Sequence, residues 1–223
     1  LGPSPGGGYW NNVPGTNFDP YVYFPAMGLG FPRITLWGRF RWRATGQEFV
    51  FHTTHFDFND GPQVSSARLI VDNARSRCDR MPASPLAIVV GDFNSTQANN
   101  DWALFTGSYT NDGITGDYVD SWWQVVGSWT GAGTIHGFAG GVQPASQRID
   151  WILHRGGFAA TQAVIATDAA WATNLTTHAV RTQYPSDHYP VLADLRLPDI
   201  APDFDRDGLP DALELARAGS RPA

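Results

Sequence analysis

Four times along this sequence residues able to do acid–base or metal chemistry stand at one end or the other of an apolar stretch. Phe49-Val-Phe-His-Thr-Thr54 delivers His55, and Leu86-Ala-Ile-Val-Val90 with Gly91 delivers Asp92 and Asn94. Ile149 leads into Asp150, and Asp187 and His188 stand immediately before Tyr189-Pro-Val-Leu-Ala. Adjacent strands bring such ends together, building a cleft on rigid elements. Carboxylates are hard oxygen donors suited to magnesium or manganese. Histidines exchange protons near neutral pH or donate to phosphate oxygens. Together these types suit phosphoryl transfer, which needs neutralised phosphate charge, an oriented water and donors for developing negative charge.

The elements that must position them can be read from periodicity. Thr35-Leu-Trp-Gly-Arg-Phe-Arg-Trp-Arg43 alternates, placing Arg39, Arg41 and Arg43 on one face of a half-exposed strand and Phe40 and Trp42 on the other. A turn at residues 44–47 and a second strand over 48–54 make a hairpin. Residues 64–80 carry Ala67, Ile70, Val71, Ala74 and Cys78 at helical spacing, with arginines in the last turn where the helix dipole favours cations. The continuous apolar run 86–90 predicts a strand buried on both faces. Further strands are expected at 148–153 and 191–197. Strands alternating with a helix predict an α/β sandwich. Residues 2–8 read as loop or linker, and the break at 198–202 places a domain boundary there, giving units 1–198 and 199–223.

The 223 residues suffice for one well-buried domain and a short appendage. A hydrophobic share of 42% against 16% charged residues is globular rather than disordered composition. No apolar run approaches the roughly 20 residues that span a bilayer. The lone Cys78 excludes an intrachain disulfide and a cysteine-rich zinc site, and reads as core filler. Half of the net charge of −6 falls in residues 199–223, and nothing resembles the broad basic footprint of a dedicated nucleic-acid binder. Phosphate steering would come from local arginines and a bound metal ion. The Arg39/Arg41/Arg43 stripe reads as a solvated strand face, and Trp122, Trp123 and Trp129 as packing rather than base-stacking groups. His52, His154 and His178 read as structural, and Asp117 and Asp120 as loop and cap residues.

Five segments, in order, resemble motifs of the endonuclease/exonuclease/phosphatase superfamily over about residues 30–198. Thr53-Thr-His-Phe-Asp57 is similar to its Asn-Thr-His-Leu motif, and Gly91-Asp-Phe-Asn94 matches Gly-Asp-Phe-Asn unaltered. Arg148-Ile-Asp-Trp-Ile152 resembles Arg-Ile-Asp-Tyr-Ile, and Ser186-Asp-His-Tyr-Pro-Val191 resembles Ser-Asp-His-Phe-Pro-Val. Thr134-Ile-His-Gly-Phe138 is similar to Thr-Phe-His-Gly-Phe. The resemblance implies a four-layer α/β/β/α sandwich that hydrolyses phosphoesters with Mg2+ or Mn2+. Asp92 would orient and activate water, with Asn94 beside it. His188 would contact the scissile phosphate and Asp150 would hold its imidazole. His55 would donate to a phosphate oxygen, His136 would face the same cleft as a substrate-binding group, and Asp187 would serve the metal.

Two departures qualify this. The family's Asn and metal-binding Glu precede the segment matching Arg33-Ile-Thr, and neither motif occurs in residues 1–32. Gln47-Glu48 imitates the missing pair but sits in a hairpin turn, the wrong place. The chain is therefore expected to lack the main metal ligand, to have an incomplete first sheet and to be catalytically poor by itself. In addition, Phe56-Asp57-Phe58 replaces the common Leu-Asp-His ending.

The last segment reads differently. Asp203, Asp205, Asp207, Asp211 and Glu214 occupy positions one, three, five, nine and twelve of a calcium loop. Gly208 takes the sharp turn, and Leu209 offers its backbone oxygen. Pro210 at position eight departs from the paired EF-hand, so the segment resembles a bacterial thrombospondin-type-3 or dockerin-like Ca2+ repeat. Such repeats point to a secreted or cell-surface protein. The expected partner is a phosphoester substrate, with nucleic acid the first choice and a lipid or sugar phosphodiester or monoester second. No stable protein partner is implied. A calcium-dependent surface module with an inactive site is the rival reading.

Overall fold

The computed structural model describes residues 8–10, 33–42, 47–78, 86–167, 170–173 and 180–198. Arg43, His178, the calcium motif at 203–214 and the side chain of Cys78 lie outside the described residues.

A six-stranded sheet forms the frame, in the order β1-β2-β3-β4-β6-β5. Its strands are β1 (Gly8–Trp10), β2 (Thr35–Arg41), β3 (Glu48–His55), β4 (Ala87–Asp92), β5 (Val119–Asp120) and β6 (Asp150–Arg155). The β2–β3 hairpin forms as the alternation predicts, pairing Arg41 with Glu48 and Thr35 with Thr54. β3 and β4 are parallel and joined through α1 (Asp60–Cys78), whereas β4 and β6 are antiparallel. Two antiparallel pairs complete the described strands: β7 (Ala159–Ile165) with β10 (Val191–Arg196), and β8 (Ala170–Thr173) with β9 (Val180–Gln183). The mixed α/β class read from the sequence is present. β1 falls where no strand is expected, since three residues after a glycine run carry no periodic signal. No helix among the described residues is long and apolar enough to cross a membrane.

The core lies between this sheet and the helices α1 and α2 (Asn100–Thr106). Val50, Ala87, Val89, Trp151 and Leu153 face Ala67, Ile70, Val71, Ala74, Leu104 and Phe105. Helix α1 begins four residues earlier than periodicity predicts. Pro62 is tolerated in a first turn because its missing N–H has no intrahelical partner there, and Asp60 suits the positive end of the dipole. β4 departs from the double burial expected of its apolar run. Ala87 and Val89 are fully buried, but Ile88 and Val90 on the opposite face are half-covered, because both helices lie on one side. Phe40 is 49% exposed rather than buried opposite its arginines, and it stacks on Phe49 at 5.5 Å.

Arg39 and Arg41 both close on the Glu48 carboxylate, Arg41 through Nε at 2.9 Å and Arg39 through Nε at 2.7 Å. Glu48 opens β3 and His55 ends it, which separates them by about 23 Å at strand rise. This Glu is thus an arginine partner at the far end of the strand, as its turn position suggested. His52 is buried and bonds Asn73 at 3.0 Å, and His154 is buried beside Gln124 at 3.1 Å, so both are structural.

Asp101, in the first turn of α2, is buried beside the Ser95 hydroxyl, which donates to it. Burial pushes its carboxyl up to about 6, with the Ser95 hydrogen bond opposing the rise. A carboxyl raised in the folded state favours folding most when protonated. Its contribution is therefore full below the unfolded value near roughly pH 4 and is lost as pH climbs through about 6. Relative to Asp101→Asn, the parent protein is expected to lose about 3 kcal/mol between those limits. Urea unfolding of both proteins at a series of pH values checks this; parallel curves would refute it.

Candidate active site

Strand register does much of the assembly. His55 pairs with Asp92 across the parallel β3–β4 ladder, and Asp92 pairs with Asp150 across the antiparallel β4–β6 ladder. Three polar residues thus stand abreast at the same edge of three adjacent strands. His55 Nε2 lies 3.3 Å from Asp92 Oδ2, and His188 Nδ1 lies 2.9 Å from Asp150 Oδ2. Donor atoms of Asp92, Asp150 and His188 all fall within 4.8 Å of one another, a spacing that could hold a metal ion. Arg33 also approaches, with Nη1 3.2 Å from His55 Nδ1.

The Gly91-Asp-Phe-Asn94 turn explains its own residue types. A Cβ at Gly91 would lie 2.0 Å from the carbonyl oxygen of Thr54, and the backbone there has φ +150°. Only glycine fits. Phe93 is the anchor: its N–H donates to Ile149 O at 2.8 Å and its ring stacks on Trp151 at 4.3 Å. Asn94 adopts φ 48°, a left-handed conformation that Asn tolerates. Its N–H donates to Asp92 Oδ1 at 2.8 Å and its side-chain amide to Phe56 O at 2.9 Å. Buried Gln63 donates to the carbonyls of both Asp57 and Asn94 at 2.8 Å, tying α1 to this turn.

On the other side, the Ser186 hydroxyl accepts from the His188 N–H at 3.1 Å. The Asp187 carbonyl accepts from the N–H groups of His136 and Gly137 at 2.8 and 3.1 Å. The Asp187 side chain is half-buried and not part of the Asp92/Asp150/His188 group, although its charge acts on His188. His136 is buried and stacks on Tyr189 at 4.0 Å, with Tyr184 tilted against it at 4.5 Å. Its imidazole therefore sits in an aromatic stack, and its backbone pins the Asp187 loop.

The electrostatics follow from crowding. Burial raises the Asp92 carboxyl; the Asn94 N–H opposes this, and the neighbouring Asp150 charge reinforces it. Burial alone would lower His188, but the Asp150 hydrogen bond and the charges of Asp150, Asp92 and Asp187 outweigh it and raise the imidazole. With Nδ1 occupied by Asp150, Nε2 is the ring nitrogen left for a substrate.

Sequence reasoning missed the support beneath Asp150. Arg148 and Asp120 form an almost completely buried ion pair at 2.8 Å. Asp120 also caps α3 (Ser121–Val126) through the N–H groups of Trp122 and Trp123, and accepts from Trp102 Nε1 at 3.1 Å. Capping is legible from an Asp-Ser start, but a partner 28 residues away is not. The Arg148 guanidinium lies 5.0 Å over Trp129, which stacks on Trp123. Asp120→Asn keeps the cap but leaves a buried cation uncompensated, and is expected to cost about 3 kcal/mol of stability. Denaturant unfolding measures this; a change within 0.5 kcal/mol, roughly the size of an ordinary surface substitution, would contradict it.

Comparison with known proteins adds a fold assignment. No protein-family profile matches this sequence, and no curated protein matches it. Among solved structures, a mannosyl-6-phosphatase from Bacteroides thetaiotaomicron superposes with TM-score 0.60 and 26% identity, over 75% of this chain and 58% of that one. An endonuclease/exonuclease/phosphatase from Bacteroides vulgatus gives TM-score 0.54 and 29% identity, over 74% and 56%. The fold is that of the endonuclease/exonuclease/phosphatase proteins. The human nocturnin catalytic domain shares it at 14% identity and TM-score 0.52. The chain spans a little over half the length of the two Bacteroides structures.

Proposed function

We propose that this chain carries the catalytic groups of a divalent-metal-dependent phosphoester hydrolase. The observation that carries this reading is the convergence of Asp92, Asp150 and His188, with His55 beside them, at the ends of adjacent strands. Two carboxylates that repel one another, one of them raised partly for that reason, create a demand for positive charge. Mg2+ or Mn2+ would fit that demand at the Asp92 and Asp150 carboxylates, with Asp187, whose side chain lies outside that group, serving it through water. Such an ion neutralises phosphate charge.

The chain's own residues supply the remaining roles. Asp92 accepts a proton from water as the water oxygen bonds phosphorus, and the ester P–O bond breaks with its electron pair on the leaving oxygen, which takes a proton from solvent and departs as the alcohol. Asn94 keeps Asp92 in place through its N–H. Asp150 orients His188, whose Nε2–H donates to a phosphate oxygen, and His55 Nε2, which faces Asp92 at 3.3 Å, would exchange that contact for another phosphate oxygen. His136 serves the substrate side of the cleft by holding the Asp187 loop. The fold would be a four-layer α/β/β/α sandwich, with residues 199–223 as a separate calcium-binding unit of an exported protein.

A sugar phosphate or other small phosphoester is favoured over nucleic acid. Arg39 and Arg41 are occupied by Glu48, Trp123 and Trp129 stack on each other, and a mannosyl-6-phosphatase shares the fold at 26% identity. The test is phosphate release from hexose 6-phosphates and cleavage of oligonucleotides, each with Mg2+ and with chelator. Metal-dependent release from the sugar phosphate supports the reading; metal-dependent cleavage of oligonucleotides without release from any hexose phosphate would refute the preference for a small phosphoester. For the tail, calorimetry should detect calcium binding that Asp207→Ala abolishes, and absence of heat would refute the calcium assignment.

A further inference from the structure

Thr134 is fully buried and tied to both halves of the His188–Asp150 pair. Its hydroxyl oxygen accepts from the N–H groups of Ile149 and Asp150, each at 3.1 Å, and donates to Gln147 O at 3.4 Å. One donor and two lone pairs are all a hydroxyl has, so its capacity is filled. Its carbonyl accepts from the Tyr189 N–H at 2.8 Å, and the next residue, Ile135, bridges to His188. Asp150 and His188 are 38 residues apart and belong to different segments, yet their backbones hang from one side chain and one carbonyl.

We propose that Thr134 is a positioning residue for the hydrolysis described above, setting the His188–Asp150 contact through its hydroxyl and carbonyl. The inference rests on the phosphoesterase reading for its catalytic consequence, but its geometric content stands apart from it. The hydroxyl determines where β6 begins: with the Ile149 and Asp150 N–H groups turned onto Thr134, the ladder to β4 starts at Asp150 and not at Arg148. The carbonyl determines how far the His188 segment stands from that strand. Valine has the same shape without the acceptor, so it would leave two N–H groups unsatisfied and release the Asp150 end. Serine keeps the acceptor.

Two readouts separate the possibilities. The first is the NMR signal of the His188 Nδ1–H, held by Asp150 and assigned by its loss in His188→Ala. It should persist in the parent and in Thr134→Ser and disappear in Thr134→Val. The second is kinetic. Thr134→Val should lower kcat by about a hundredfold with KM nearly unchanged, as for a catalytic pair displaced by an ångström, while Thr134→Ser restores most of the rate. Retention of the Nδ1–H signal in folded Thr134→Val would overturn the proposal. If the valine variant does not fold, amide exchange in the parent decides: the N–H groups of Ile149, Asp150 and Tyr189 should be protected and exchange together, and rapid exchange at any of them would overturn it. An intact signal pattern with no phosphoester turnover would instead refute the function and leave the positioning role standing.

Discussion

Turnover should fall on the order of a thousandfold when His188 becomes alanine, and Asp150→Asn should depress it strongly as well. The double variant should be little worse than His188→Ala alone. The reason is the 2.9 Å contact between His188 Nδ1 and Asp150 Oδ2. Asparagine lacks the negative charge that holds His188 protonated on both nitrogens, so Nε2–H would become a weaker, uncharged donor to the phosphate oxygen. Groups that act as one unit lose their effect once, so their free energies do not add. Both residues sit near backbone that other groups already hold, so the melting temperature should change much less than the rate. Multiplicative losses would show that the two act separately.

Gly91→Ala should cost at least about 4 kcal/mol of stability, an effect reserved for a severe, identifiable conflict. The added Cβ would lie 2.0 Å from Thr54 O and 2.9 Å from Thr54 C, both backbone atoms in the neighbouring strand. No side-chain rotation relieves this. The φ of +150° adds backbone strain for any residue with a Cβ. Relief would require β3 and β4 to separate at the point where His55 and Asp92 are paired, so activity and stability should fall together. Equilibrium unfolding in denaturant gives the value, and a loss below about 1 kcal/mol, the usual size for a point substitution, would mean that the strands can part without cost.

The polar ends of the apolar runs were legible because strands deliver residues to a common edge, and His55, Asp92 and Asp150 do stand abreast there. Helix α1 and the β2–β3 hairpin were legible from period and turn chemistry, whereas the parallel pairing of β3 with β4 was not. Support from distant residues was not. Thr134 and Asp120 are ordinary loop residues locally, and their value comes from Asp150 and Arg148, brought near only by folding. The apolar run before Asp92 suggested two buried faces, but hydrophobicity reports only what a strand can bury, not what covers it. His136 shows the same gap: the motif places it at the cleft as a substrate-binding group, and nothing in that motif tells of Tyr184 and Tyr189 enclosing its ring.

In this mechanism water positioned by Asp92 attacks phosphorus. Hydrolysis of a sugar phosphate in ¹⁸O-labelled water with Mg2+ separates that attack from attack at carbon. The label should enter the released phosphate from the first turnover, and that release should be lost in Asp92→Asn. Label appearing in the alcohol product, or undiminished release by Asp92→Asn, would contradict it.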